Sequence, residues 1–242
     1  MSHKLVSSIL ALLFLVIIQS LNDVFRYLLA GMVIYLAIVM GYNYWYLKSR
    51  NFFTFWAWLR PLYFVGALSA AYLVIPETGM RGFFVIFGTI GIFLLELSLL
   101  SASEQVVFLE TLFSYFAIVV AIFNFNFSLL PGTWLILILL FLATFLITRS
   151  SLEYIPQPNL KKNFFSWLVA LCILEVSWSL LFLPLHFTIL AVVLFNIFYL
   201  LWIVVYYHLF HNLSLKKVVF HLVFASLIII ISFLSTPWQI AA

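Results

Sequence analysis

The chain has 242 residues, of which 67% are hydrophobic, 20% aromatic and only 7% charged, with a net charge of +4. Water-soluble domains carry roughly 25% charged residues, so this composition excludes a water-facing globular fold, and the sparse positive charge excludes a nucleic-acid surface. The single cysteine, Cys172, excludes an internal disulfide and any CxxC metal or redox motif.

The bilayer is therefore the expected solvent, and in lipid the backbone must satisfy its own hydrogen bonds as helices or as a closed barrel. Barrel strands alternate polar and apolar over about 10 residues. The apolar runs here continue for 16 to 22 residues, which is the length of a spanning helix. The fold class is all-α: a polytopic transmembrane helical bundle of about nine spans, forming a single integral membrane domain over residues 1–242.

Taken in order, the first span covers 5–21, behind Lys4 and closed by Asn22-Asp23. Its apolar core is long and lacks a small-x-small cleavage site, so it reads as a retained helix rather than a signal peptide. The second span, 27–47, ends in Tyr42-Asn-Tyr-Trp-Tyr46 followed by Lys48 and Arg50, an aromatic belt and basic flank typical of a cytoplasmic interface. The segment 52–59 is too short to cross and reads as interfacial, with Arg60-Pro61 opening a third span at 61–76. One longer tilted helix over 52–76 is the alternative. Gly66/Ala70 and Ala67/Ala71 give this span small-xxx-small pairs suited to close helix packing.

Spans four and five, 82–100 and 104–127, form a hairpin whose turn has capping-box spacing in Ser101 and Glu104. Pro131-Gly132 separates them from span six, 133–148. Arg149–Asn163 is the longest loop, and spans seven, eight and nine follow at 164–183, 187–207 and 218–235. With the N-terminus cytoplasmic and the segments alternating, the inner side receives Lys4, Lys48, Arg50, Arg60, Arg149, Lys161, Lys162, Lys216 and Lys217. The outer side receives only Arg26 and Arg81. The positive-inside rule supports this topology, which places the C-terminus outside and the protein in the cell membrane as a multi-pass chain.

Carboxylates within spans are costly, at about 3 kcal/mol on insertion scales, and mark functional candidates. Three qualify: Glu96, Glu110 and Glu175. Glu110, Ser114, Ala117, Ala121, Asn124 and Ser128 follow helical spacing and share one face of span five. Thr89, Glu96 and Ser103 form a similar line on span four. The expected transport, ion or ligand site comprises Glu96, Glu110, Glu175, Ser114 and Asn124, although small and polar residues also serve plain helix packing. Arg60 is expected to snorkel to lipid phosphate, with a pair to Glu104 or Glu110 as the alternative. His208, His211 and His221 near the last inner turn are metal candidates, against an ordinary interfacial role.

The chain contains no Walker, HExxH, GxSxG or dinucleotide-binding motif. The first functional expectation is a small permease or channel moving an ion, a proton-coupled solute or a lipid-like cargo. The second is a non-catalytic subunit of a membrane complex, and the third, behind both, is an intramembrane enzyme acting on a lipid or quinone. Expected partners are the bilayer, with anionic headgroups at the inner Lys/Arg residues, and a second copy or other membrane subunits.

Overall fold

The structure, a computed structural model, describes residues 3–21, 25–74, 78–98, 104–129, 132–183, 185–210 and 213–234. Among them it contains nine helices and is all-α: α1 (His3–Leu21), α2 (Phe25–Ser49), α3 (Phe55–Val74), α4 (Thr78–Ser98), α5 (Glu104–Leu129), α6 (Thr133–Ser151), α7 (Asn159–Leu180), α8 (Phe187–Leu209) and α9 (Leu215–Leu234). Of these, α1, α2 and α5 to α9 are long and apolar enough to cross a membrane, and α4 contains a shorter apolar run, Val85–Leu97. Several long hydrophobic helices of this kind are consistent with a membrane-spanning arrangement. The Ser101–Glu104 cap and His211 fall outside the described residues.

The helices pack as two compact units, Met1–Ile118 and Val119–Ala242. In unit one, α1 packs on α2 and α4, and α3 packs on α2 and α4. Tyr35 on α2 donates a hydrogen bond to the Leu10 carbonyl of α1 at 3.1 Å, and its ring rests against Phe14. In unit two, α6, α7, α8 and α9 pack successively, each on the next. Trp202 is fully buried there and donates from Nε1 to the Ser151 hydroxyl at 2.8 Å.

Two boundaries correct the sequence reading, each for a local reason. Segment 52–59 is not a separate interfacial piece, because α3 starts at Phe55 and runs through Pro61. Asn51 sits at φ 56°, Asn51 N–H donates to Lys48 O (3.2 Å) and Phe52 N–H donates to Leu47 O (3.0 Å). That is the paired 5→2 and 6→1 closure of a Schellman motif, with asparagine taking the left-handed position. Thr54 Oγ1 then accepts from Ala57 N–H at 3.2 Å, capping α3 well ahead of Pro61. The long loop also shrinks: Arg149–Ser151 belongs to α6 and Asn159–Asn163 to α7.

Close helix approach in unit one is carried less by Gly66 than the small-residue pairs suggest. A methyl on Gly66 would meet nothing within 4 Å, whereas one on Gly88 would lie 3.0 Å from the Leu68 methyls. A methyl on Gly91 would overlap the tip of the Phe64 ring, which is itself buried. The α3–α4 seam thus needs glycine on α4. Gly91→Ala is expected to cost about 1–3 kcal/mol through overpacking, read as lower resistance to unfolding in detergent. Gly66→Ala should cause no loss.

Candidate functional site

One end of unit one gathers the start of α1, the end of α2, the start of α3, the end of α4 and the start of α5, and its polar side chains make two linked groups. In the first, Arg60 is 0% exposed and Glu110 is 5% exposed. Arg60 Nε donates to Glu110 Oε1 at 3.2 Å, Arg60 Nη2 donates to Oε2, and the Tyr63 hydroxyl donates to Oε1 at 3.2 Å. Two parallel N–H···O bonds make this a bidentate pair, the geometry a planar guanidinium favours. The snorkelling expectation for Arg60 is therefore overturned. The cap at Thr54 lengthens α3 backwards, so Arg60 lies more than a turn inside the helix and faces α5 instead of a headgroup.

In the second group, Glu96 is 0% exposed on α4. Asn43 on α2, also fully buried, donates from Nδ2 to Glu96 Oε1 at 2.9 Å. Glu96 Oε2 and Asn43 Oδ1 are both buried without a hydrogen-bond partner among the described residues. The Glu96 main chain is held as well: His3 Nε2 lies 2.6 Å from its carbonyl and His3 Nδ1 lies 2.8 Å from the Tyr42 hydroxyl. A carbonyl can only accept, so Nε2 donates to it, and Nδ1 pairs with the Tyr42 hydroxyl, which can donate or accept. His3 also stacks on Tyr46, with centroids 4.0 Å apart and planes 13° apart.

The two groups communicate electrostatically, since Glu110 and Arg60 both act on Glu96. Glu110 also borders an apolar cavity of about 290 Å³ between α3, α4 and α5, walled by Phe64, Phe87, Leu94, Leu109 and Phe113. Chemically the two acids differ. Glu110 has its charge matched by Arg60, and both of its oxygens accept hydrogen bonds. Glu96 has one donor for two oxygens, and its amide partner has an idle acceptor. A proton on Glu96 Oε2 supplies the donor that these two orphan acceptors lack, converting a single hydrogen bond into an acid–amide pair.

The other expected site residues are distributed as follows. Ser114 is fully buried on α5 in unit one, and its hydroxyl has no partner among the described residues. Ala117, Ala121 and Asn124 continue the same buried stripe, with Asn124 in unit two. Glu175 also belongs to unit two, where its side chain is exposed and borders an apolar groove between α6 and α7 with Trp134, Phe141 and Trp178. Of the three histidines, His211 lies outside the described residues, and the described residues hold no group of three or more metal-type side chains. His221 hydrogen-bonds the Tyr199 hydroxyl, and His208 lies edge-on to Phe165 with centroids 5.3 Å apart.

Sequence reasoning missed His3, Asn43 and Tyr63. Asn43 carried a signal, an amide inside an apolar helix, which the surrounding aromatic belt obscured. It also missed a polar cluster at the α6–α7 connection. Arg149 is 1% exposed and donates to Asn163 Oδ1 (2.6 Å), Glu153 Oε2 (2.7 Å) and Asn159 Oδ1 (2.9 Å). Lys162 donates to the Glu153 carbonyl at 2.7 Å, and Gln157 ties the connection to the Leu209 carbonyl at 3.1 Å.

No protein-family model, curated protein or solved structure matches this chain.

Proposed function

We propose that the chain is a small multi-pass permease or channel of the cell membrane in which Glu96 binds and releases a proton as cargo crosses. The observation that carries this reading is the orphan pair, Glu96 Oε2 and Asn43 Oδ1, buried in the same unit as a matched Arg60–Glu110 pair whose acid lines an apolar cavity. With the proton bound, carboxyl and amide satisfy each other and the group is neutral. With the proton gone, a buried negative charge must find a cation or reopen to water. That alternation is what couples a proton to the movement of something else. The apolar walls favour a lipid-like or lipophilic cationic cargo over a sugar or nucleotide.

The proposed topology places nine spans in the bilayer with the N-terminus inside. His3, Glu96, Arg60 and Glu110 then sit at the inner end of unit one. The direct experiment is reconstitution of the purified chain into liposomes holding a pH-sensitive dye. After an imposed pH step, vesicles with protein should dissipate the gradient faster than protein-free vesicles, and a lipophilic cation should change that rate. Equal rates with and without protein, over a panel of cargoes, would end the proposal.

A second reading, a non-catalytic subunit of a membrane assembly, is favoured by α9. Among its described residues only Ala225 is buried, and Phe220, Phe224, Ile230 and Ile231 are all more than half exposed. Co-purification of a stoichiometric membrane partner, together with absence of proton movement by the isolated chain, would move the assignment to this reading.

A further inference from the structure

Unit two contains a second apolar recess that the transport reading does not use. It is a groove of about 600 Å³ between α7, α8 and α9, lined by Leu168, Cys172, Leu201 and Val204, with Leu222 on α9 and His208 at one end. That volume falls in the range of small-molecule sites, roughly 300–1,000 Å³. Along α8 the groove runs from Ile197 to His208, about 16 Å at 1.5 Å per residue. A single leaflet's hydrocarbon depth is half of a roughly 30 Å core, so the groove has the length of an acyl chain within one leaflet.

Basic residues gather toward the end marked by His208, and two of them, Lys161 and Lys216, are exposed. The edge contact between Phe165 and His208 and the bond from Gln157 to Leu209 O bring the start of α7 to the end of α8. Lys161 and Lys162 open α7, Arg149 ends α6, and Lys216 and Lys217 open α9. These are all the lysines and arginines of unit two. Two carboxylates oppose them in that unit: Glu153, already engaged by Arg149 and Lys162, and Glu175, well along α7 from this end. No acidic residue follows Glu175 in the sequence.

We infer that this groove is a binding site for one anionic phospholipid, its acyl chain lying over Cys172 and Leu201 and its phosphate at the His208 end, within reach of the exposed Lys161 and Lys216. Basic residues near a bilayer surface favour anionic lipid, and the groove gives that preference a defined seat. This inference is independent of the proton site in unit one and stands or falls separately from it.

The test uses the full chain purified with equal amounts of phosphatidylglycerol and phosphatidylcholine, with retained lipid counted by native mass spectrometry. Wild type should retain one phosphatidylglycerol in preference to phosphatidylcholine by roughly tenfold or more, given two surface lysines. Lys161→Gln/Lys216→Gln, both at exposed positions, should abolish the preference while leaving helicity unchanged. Leu201→Trp should fill the groove and lower retention of either lipid, with folding checked by circular dichroism. Equal retention of the two lipids by wild type overturns the inference. So does full phosphatidylglycerol retention by folded Leu201→Trp, or a quinone or a partner helix found in the groove instead.

Discussion

Replacing Arg60 with leucine is expected to destabilise unit one by about 3–5 kcal/mol, the usual cost of removing one partner from a buried ion pair. Arg60 is fully buried and supplies two hydrogen bonds to Glu110, and the one remaining to that carboxylate comes from Tyr63. Removing the guanidinium leaves a negative charge among Phe64, Leu109 and Phe113 with a single hydroxyl to hold it. The loss should appear in detergent unfolding curves. Arg60→Leu/Glu110→Leu should recover most of it, because an apolar pair in place of a buried ion pair is often neutral or better. If Arg60→Leu alone matches wild type, the guanidinium snorkels after all.

Arg149→Leu is expected to cost a similar amount in unit two. Arg149 is the hub of the α6–α7 connection, holding Glu153, Asn159 and Asn163 with three different nitrogens. Without it Glu153 retains only Lys162, whose amine lies 4.0 Å from the carboxylate. Arg149→Lys should rescue less than half of the loss, because an ammonium cannot reach three divergent acceptors at once. Full rescue by lysine would mean that charge alone, and not the fork of hydrogen bonds, stabilises this connection. The expected signature is earlier proteolysis within 152–158 in Arg149→Leu, with unit one unaffected.

The helices were legible because hydrocarbon-length apolar runs leave few alternatives, and α1, α2, α6, α8 and α9 fall close to the predicted spans. The start of α3 was not, because it depends on a left-handed Asn51 and a Thr54 cap that hydropathy does not register. The acids were legible as costly groups, but their partners only in part: the sequence offers Arg60 to Glu110 as the alternative to snorkelling, and offers Glu96 nothing. Periodicity within one helix says which residues share a face and nothing about which helix meets that face. Hence Glu110 could be selected without Arg60 being assigned to it, and Glu96 without Asn43. The segment 149–163 misled for a different reason. Its Arg, Lys, Asn and Pro content is that of a solvated loop, yet Arg149 and Lys162 turn inward and bond to its own acid, asparagines and carbonyl.

What remains distinctive is the contrast between two buried acids in one unit, one matched by a guanidinium and one left with an idle oxygen. Glutamine at position 96 imitates the protonated acid, since its amide can donate where Oε2–H would donate to Asn43 Oδ1. Glu96→Gln should therefore fold as well as wild type or better while being unable to exchange a proton. The decisive measurement is the rate of proton movement in proteoliposomes carrying wild type, Glu96→Gln or Glu175→Gln at equal protein density. Glu96→Gln is expected to fall by about 10²–10⁴-fold, the span associated with losing a positioned proton-transfer group, with its unfolding curve unchanged. A Glu96→Gln protein that folds normally and moves protons at the wild-type rate would contradict the assignment of Glu96 as the coupling acid.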